Sequence, residues 1–176
     1  MKQVDVIVLG AGAAGLMAGI EAARRGRRVL VVDHAARAGE KIRISGGGRC
    51  NFTNLGIAAD RFLSKNPRFA LSALKRFTQW DFIARLDRAG IGWHEKTLGQ
   101  LFCDGPATQV VEALTSDLAR AGGELWLGCE VGAVDGQLKA CSSVLEGKQC
   151  DPFAENSTNP MRRPNTSPKI CRQPQS

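Results

Sequence analysis

Val4-Asp5-Val6-Ile7-Val8-Leu9 runs directly into Gly10-Ala11-Gly12-Ala13-Ala14-Gly15. A helical pattern follows to Gly26, and Val29-Leu30-Val31-Val32 then ends on Asp33. Strand, glycine turn, helix, strand and terminal acid in one short unit is the context that separates a dinucleotide fingerprint from a chance GxGxxG. Gly10 permits the tight turn out of the strand, Gly12 lets the backbone approach a pyrophosphate, and Gly15 lets the helix pack closely on the strand. The free N–H groups of Ala13, Ala14 and Gly15 lie at a helix N-terminus, where unpaired donors and the dipole favour an anion. Asp33 can accept hydrogen bonds from ribose hydroxyls and would repel a 2′-phosphate, so FAD or NAD fits better than NADP. A packing-only turn explains Gly15, but not Gly10, Gly12 and Asp33 together.

Outward from this unit, the helix carries Leu16, Met17, Ile20 and Ala23 at helical spacing, a face expected to meet a sheet, and Gly26 is its stop. The length of 176 residues suits one domain, or one with an appendage. With 43% hydrophobic and 23% charged residues the composition is that of a soluble globular protein. No apolar run approaches the roughly 20 residues needed to span a bilayer. Met1-Lys2-Gln3 leads straight into a strand, so no secretory or transit segment is expected and a cytoplasmic location is.

The net charge of +7 raises nucleic acid or a membrane surface as partners. Its densest cluster, Arg24, Arg25, Arg27 and Arg28, surrounds the end of the first helix, where the dipole favours cations. No aromatic interleaving or RNA-binding motif accompanies it. The expectation is therefore a small-molecule substrate, no nucleic acid and no membrane, with the oligomeric state unassigned. Six cysteines contain no CxxC pair, and His34 and His94 are too scattered for a metal site, so neither zinc nor a disulfide framework is expected.

Gly39 to Asn54 sets three adjacent glycines, Gly46-Gly47-Gly48, among Ser, Arg, Asn and Thr, and reads as neither a good helix nor a good strand. Glycine allows backbone conformations closed to other residues and close approach of a ligand. Lys41 and Arg49 could neutralise phosphate, while Asn51, Thr53 and Asn54 offer hydrogen bonds to a ribityl chain or ring edge. A flexible surface loop is the other reading of the same composition.

Together, Gly10-x-Gly12-x-x-Gly15 and Lys41-Ile42-Arg43-Ile44-Ser45-Gly46-Gly47-Gly48-Arg49-Cys50-Asn51-Phe52-Thr53-Asn54 resemble the bacterial NAD(P)/FAD-dependent flavoproteins of the BaiN/RdsA type. Asn66-Pro67-Arg68-Phe69 and Gly99-Gln100-Leu101-Phe102-Cys103-Asp104 add to the resemblance, which extends from about Lys2 to Asp135. It implies a Rossmann-like α/β fold with a parallel sheet and FAD along the strand ends, with NAD(P)H as an electron donor. By position, Gly10, Gly12, Ala13, Ala14 and Gly15 would hold the pyrophosphate and Asp33 the adenosine ribose. Lys41, Ser45, Gly46, Gly47, Arg49 and Asn51 would line the flavin side, and the Val131 backbone would lie beside the adenine.

Residues 67–90 read as two helices, with Phe69, Leu74 and Phe77 on one face and Phe82, Ile83, Leu86 and Ala89 on the next, each expected to be core or a cover over the cofactor region. Thr78-x-x-Asp81 is a capping-box relative with Asp in place of Glu. A short hairpin is expected over Trp93–Lys96 and Gln100–Cys103. A helix from Pro106 to about Ala121 follows, with a stripe of Val110, Val111, Leu114 and Leu118, and then one strand over Glu124–Val131. Cys103 and Cys129 fall in strands and read as packed; Cys50 adjoins the glycine segment but has no CxxC partner.

The chain thus divides into a dinucleotide-binding domain over residues 1–136, with a helical and hairpin insert at about 60–105, and a tail over 137–176. The tail holds five of the seven prolines and three of the six cysteines, with no apolar period of two or 3.6. It cannot bury enough apolar surface to offset its ordering entropy and is expected to be disordered. Because the resembling proteins are longer, a frameshift or early end near residue 136 is a further expectation. Flavin-mediated hydride transfer to or from a small organic substrate is the leading functional reading. The alternative is a non-catalytic remnant that binds an adenine dinucleotide weakly or not at all.

Overall fold

The computed structural model describes residues 3–66, 68–134 and 137–142. β1 (Val6–Leu9), α1 (Ala13–Arg24) and β2 (Val29–Val32) form the expected β-α-β unit, with the strands parallel in the register Val6↔Val29 to Leu9↔Val32. All four residues of β2 are buried, as suits an unbroken apolar run at the centre of a parallel sheet. β6 (Glu124–Trp126) pairs with the other edge of β2 to give the order β1-β2-β6. Leu16, Gly19, Ile20 and Ala23 form the buried stripe of α1. A Cβ at Gly19 would stand 2.7 Å from Val31 Cγ2 and 3.2 Å from Leu118 Cδ1, so this glycine sets how closely α1 meets the sheet and the helix that carries Leu118. α5 (Thr108–Arg120) buries Val110, Val111, Leu114 and Leu118, the stripe read from its periodicity.

A second, antiparallel sheet has the order β3-β5-β4, built from β3 (Asn51–Asn54), β4 (Trp93–Glu95) and β5 (Gln100–Cys103). The β4–β5 hairpin turns through Leu98 and Gly99, both at positive φ. Of the intervening helices, α4 (Gln79–Arg88) carries the full capping box: Thr78 and Asp81 each satisfy the other's backbone N–H. It buries Ile83 and Leu86, and also Arg85, which pairs with buried Asp117 of α5. Asp117 also accepts from Arg120.

Three expectations need correction. α3 (Leu71–Arg76) has no buried residue, and Phe69 and Phe77 are exposed, so of the two expectations for this face the core one is overturned. Helical spacing identifies a face but not what covers it. The Gly39–Asn54 stretch is more regular than its composition implied, since it contains α2 (Glu40–Ile44) and β3. The single strand expected over Glu124–Val131 is two: Gly128, at φ 61, interrupts it, and β7 (Cys129–Val134) leaves the parallel sheet to pair antiparallel with β8 (Gln137–Ser142). β8 occupies the first six residues of the segment expected to lack order; residues 143–176 lie outside the described residues.

Candidate nucleotide-binding site

The turn after β1 is built from backbone contacts that leave little room. Gly10 sits at φ 100, a value that excludes most side chains. Its N–H donates to Val32 O at 2.7 Å. A Cβ at Gly15 would lie 1.9 Å from Gly10 O, so the helix can start this close to the strand only with glycine there. Gly12, the N-cap of α1, is different: its φ is an ordinary −79, and a Cβ would meet nothing within 4 Å. The N–H groups of Ala13, Ala14 and Gly15 fall in the first turn of α1, where the helix itself offers them no acceptor.

Asp33 closes the turn from the other side. Its carboxylate accepts from Ala11 N–H at 2.6 Å and from Ala35 N–H at 2.9 Å. Burial pushes its carboxyl pKa up, but the hydrogen bonds from Ala35 and Ala11, with His34 alongside, outweigh this and hold it below the usual carboxylate value. The acid is therefore ionised and already joins the two crossover turns, with lone pairs left for further donors. An open cleft of about 450 Å³ lies at this end of the sheet, lined by Gly10, Asp33 and Val131 together with His34, Cys129 and Glu130. Sequence reasoning did not single out His34 or Glu130; their only signal was adjacency to Asp33 and Val131. A larger cleft of about 640 Å³ lies among α1, α4 and α5, around Arg24, Arg85, Arg88 and Arg120, and shares no lining residue with the first.

The second glycine segment has its own geometry. Gly46, Gly47 and Gly48 are all left-handed, at φ 59, 66 and 86. A Cβ at Gly46 would stand 2.7 Å from the Phe102 ring and 2.8 Å from Asn51 N, whereas Gly47 faces open space. Ser45 Oγ donates to Ile42 O at 2.9 Å, and Arg49 Nη1 donates to Asp104 O at 3.0 Å, so both side chains are engaged with the protein. Asn51, with its amide oriented to suit its neighbours, donates to Leu101 O at 3.2 Å, and Lys41 is exposed. Gly39 N–H donates to Ala11 O at 2.9 Å, which joins the start of this segment to the first turn. Gly10, Asp33 and Val131 thus share one cleft, while Lys41, Ser45, Gly46, Gly47, Arg49 and Asn51 lie on the separate segment that begins there.

A family model of the HI0933-like protein Rossmann domain matches residues 4–151. The chain belongs to this family. It is a family of flavoprotein oxidoreductases, the one to which the two glycine motifs pointed. The match continues to residue 151, beyond Asp135, where the sequence resemblance was read to end.

Among relatives of this HI0933-like chain, a ribosomal RNA dihydrouridine synthase of Escherichia coli K12 is 55% identical over 117 residues, covering 66% of this chain and 29% of that protein. A 3-dehydro-bile acid delta(4,6)-reductase of Clostridium scindens is 30% identical over 131 residues, covering 72% of this chain and 32% of that protein. The chain thus spans about three tenths of the length of these curated relatives. The solved structure of a 3-ketosteroid-delta4-(5alpha)-dehydrogenase from Rhodococcus jostii RHA1 superposes with a TM-score of 0.53 at 15% identity, over 78% of this chain and 43% of that one. That likeness concerns the fold alone. Among the described residues, no helix is long and apolar enough to cross a membrane, and no group of three or more His, Cys, Asp or Glu is placed to hold a metal.

The residues present fit a bound dinucleotide on geometric grounds: open space at Gly12, amide N–H groups without helical acceptors at the start of α1, and an ionised acid at the end of β2. Cys50 and Cys103, read separately from the sequence, turn out to be neighbours. Both are buried, and each is the largest influence on the other's thiol, lowering the pKa of Cys50 and raising that of Cys103.

Proposed function

We propose that this chain binds FAD and is the nucleotide-holding part of a reductase that acts on a uridine base in ribosomal RNA. The observation that carries the reading is the 55% identity to a ribosomal RNA dihydrouridine synthase, across a chain whose first turn is shaped for a dinucleotide. It weighs against the expectation of a small-molecule substrate with no nucleic-acid partner. In this reading Gly10, Gly12, Ala13, Ala14 and Gly15 take the pyrophosphate through backbone N–H groups, with Gly12 supplying the clearance. Asp33 takes the adenosine ribose with the lone pairs that Ala11 and Ala35 leave open, and the Val131 backbone lies beside the adenine. Lys41, Ser45, Gly46, Gly47, Arg49 and Asn51 line the flavin side.

When bound, the flavin supplies the hydride chemistry, with NAD(P)H as the electron donor. The protein's part is to hold, orient and shield it. Dihydrouridine is uridine with its ring double bond reduced, and the Clostridium relative is likewise named as a reductase of carbon–carbon double bonds. That relative supports a second reading, an unsaturated small-molecule substrate at the same flavin.

Two experiments separate these levels. Titrating the purified chain with FAD should give a bound-flavin absorption spectrum with micromolar or tighter affinity. A colourless protein that ignores FAD would refute cofactor binding by this chain and return the remnant reading. Deleting the gene should remove a dihydrouridine from the host's ribosomal RNA, detected by nucleoside mass spectrometry. Unchanged dihydrouridine would exclude the RNA substrate and favour the small-molecule one.

A further inference from the structure

Cys50 and Cys103 take no part in the nucleotide contacts proposed above, yet they are placed as a pair. The β3–β5 register ends at Asn51 opposite Phe102, and Cys50 and Cys103 are the next residues along the two chains from that pair. Arg49 O accepts from Cys103 N–H at 2.9 Å, which holds the two strands together at this level. Both residues are buried, at 4% and 0% exposed. That backbone bond and the Asn51–Phe102 pairing bring the two cysteines' backbones alongside each other, as the ~4.4–6.8 Å between α-carbons in a disulfide requires. Cys50 also has a positive φ of 50, unusual for a residue with a Cβ, and only Arg49 separates it from the left-handed Gly46–Gly48 turn.

We infer that Cys50 and Cys103 are a redox pair, closing to an intrachain disulfide with hydrogen peroxide as oxidant and reopening with a dithiol reductant. This goes beyond the flavin reading and does not depend on it. Cys50 is the attacking thiol. The neighbouring Cys103 thiol, reinforced by Ser45 and opposed by burial, lowers its pKa to about 7, while the same pairing and burial raise that of Cys103. Thiolate is the reactive form, so at neutral pH Cys50 is the nucleophile.

In the first step Cys50 Sγ attacks one peroxide oxygen. An S–O bond forms, the O–O bond breaks, and the departing hydroxide takes up a proton to leave as water. Cys103 Sγ then attacks the sulfenic sulfur: the S–S bond forms, the S–O bond breaks, and the Cys103 proton leaves with a second water. The two thiols lose two electrons and the peroxide gains them. The product ties the end of β5 to the residue that closes the glycine turn, so the bond fastens that turn to the sheet.

The full 176-residue chain provides the test. It is reduced, exposed to hydrogen peroxide, alkylated at any remaining thiols, digested with trypsin and analysed by mass spectrometry. The cleavage sites after Arg49 and Lys96 put the two cysteines on separate peptides. The expected result is one species joining those peptides, lighter than their sum by two hydrogens, restored to two peptides by dithiothreitol and at least ten-fold more abundant than any other cysteine pairing. The same treatment in urea should abolish that preference. Recovery of Cys50 and Cys103 as separate alkylated peptides, or of Cys50 joined to another cysteine, would overturn the inference. No variant is needed for this reading, but dimedone should label Cys50 several-fold more in Cys103→Ser than in the native chain.

Discussion

Gly15 and Gly47 both belong to glycine-rich turns, but they are glycine for opposite reasons. At Gly15 the backbone conformation would accept any residue, and the obstacle is a neighbour: Gly10 O lies where a Cβ would go. At Gly47 no neighbour interferes, and the obstacle is the backbone itself, at φ 66. Each turn also contains the converse case. Gly12 has neither obstacle, with an ordinary φ and open space; Gly46 has both, a φ of 59 and contact with the Phe102 ring. Gly12 thus has no steric or positive-φ reason to be glycine, and in the proposed reading the bound dinucleotide supplies one.

Substitution by alanine should break this comparison cleanly if it is wrong. The largest effect is expected for Gly15→Ala. Its Cβ would overlap main-chain atoms that cannot move without shifting β1 or α1, and about 3 kcal/mol or more of stability should be lost in urea unfolding. A midpoint close to that of the native chain would show that the helix can pull back at little cost. Gly12→Ala should behave in the reverse way. Its stability should fall by no more than about 1 kcal/mol, the difference between Gly and Ala at an N-cap, while FAD affinity falls about ten-fold or more, roughly 1.4 kcal/mol. An unchanged affinity would remove Gly12 from the ligand's path.

Gly47→Ala sharpens the contrast, since with no atom within 4 Å its cost is the left-handed backbone alone, about 1 kcal/mol. Gly46→Ala should cost clearly more by the same urea assay, because it adds overlap with the Phe102 ring and Asn51 N to the same backbone strain. Equal costs would mean that Phe102 moves aside freely.

What the sequence made legible follows the same division between local and distant causes. The β-α-β unit, the Thr78–Asp81 capping box and the stripe of α5 were all readable, because each depends on residues a few positions apart. The cleft residues Gly10, Asp33 and Val131 were also named, two from the fingerprint and one through the resemblance. Pairings across long stretches of chain were not readable. Nothing near Cys50 announces Cys103, and nothing in the amphipathic pattern of α4 says that Arg85 is buried against Asp117. Phe69 and Phe77 failed for a related reason, since apolar spacing marks a face without identifying its partner. The break at Gly128 was visible as a residue but not as a change of sheet, because only the positive φ distinguishes it from a glycine within one strand.

The smallest expected effect tests whether Asp33 holds the first turn as an anion. Its carboxyl pKa is lowered in the folded chain, since the N–H groups of Ala35 and Ala11 overcome the opposing effect of burial. A depressed folded pKa means that the carboxylate contributes stability above its unfolded value of about 3.9, and that this contribution is lost as pH falls through the folded value. Asp33→Asn has no proton to gain there. Its disadvantage against the native chain should therefore be constant from about pH 7 to about pH 5 and should shrink below about pH 4. Urea midpoints of the two proteins across that range give the measurement. A gap that stays the same into acid would mean that the two hydrogen bonds hold equally well with a neutral acceptor, and that the charge at Asp33 is there for the ligand rather than for the turn.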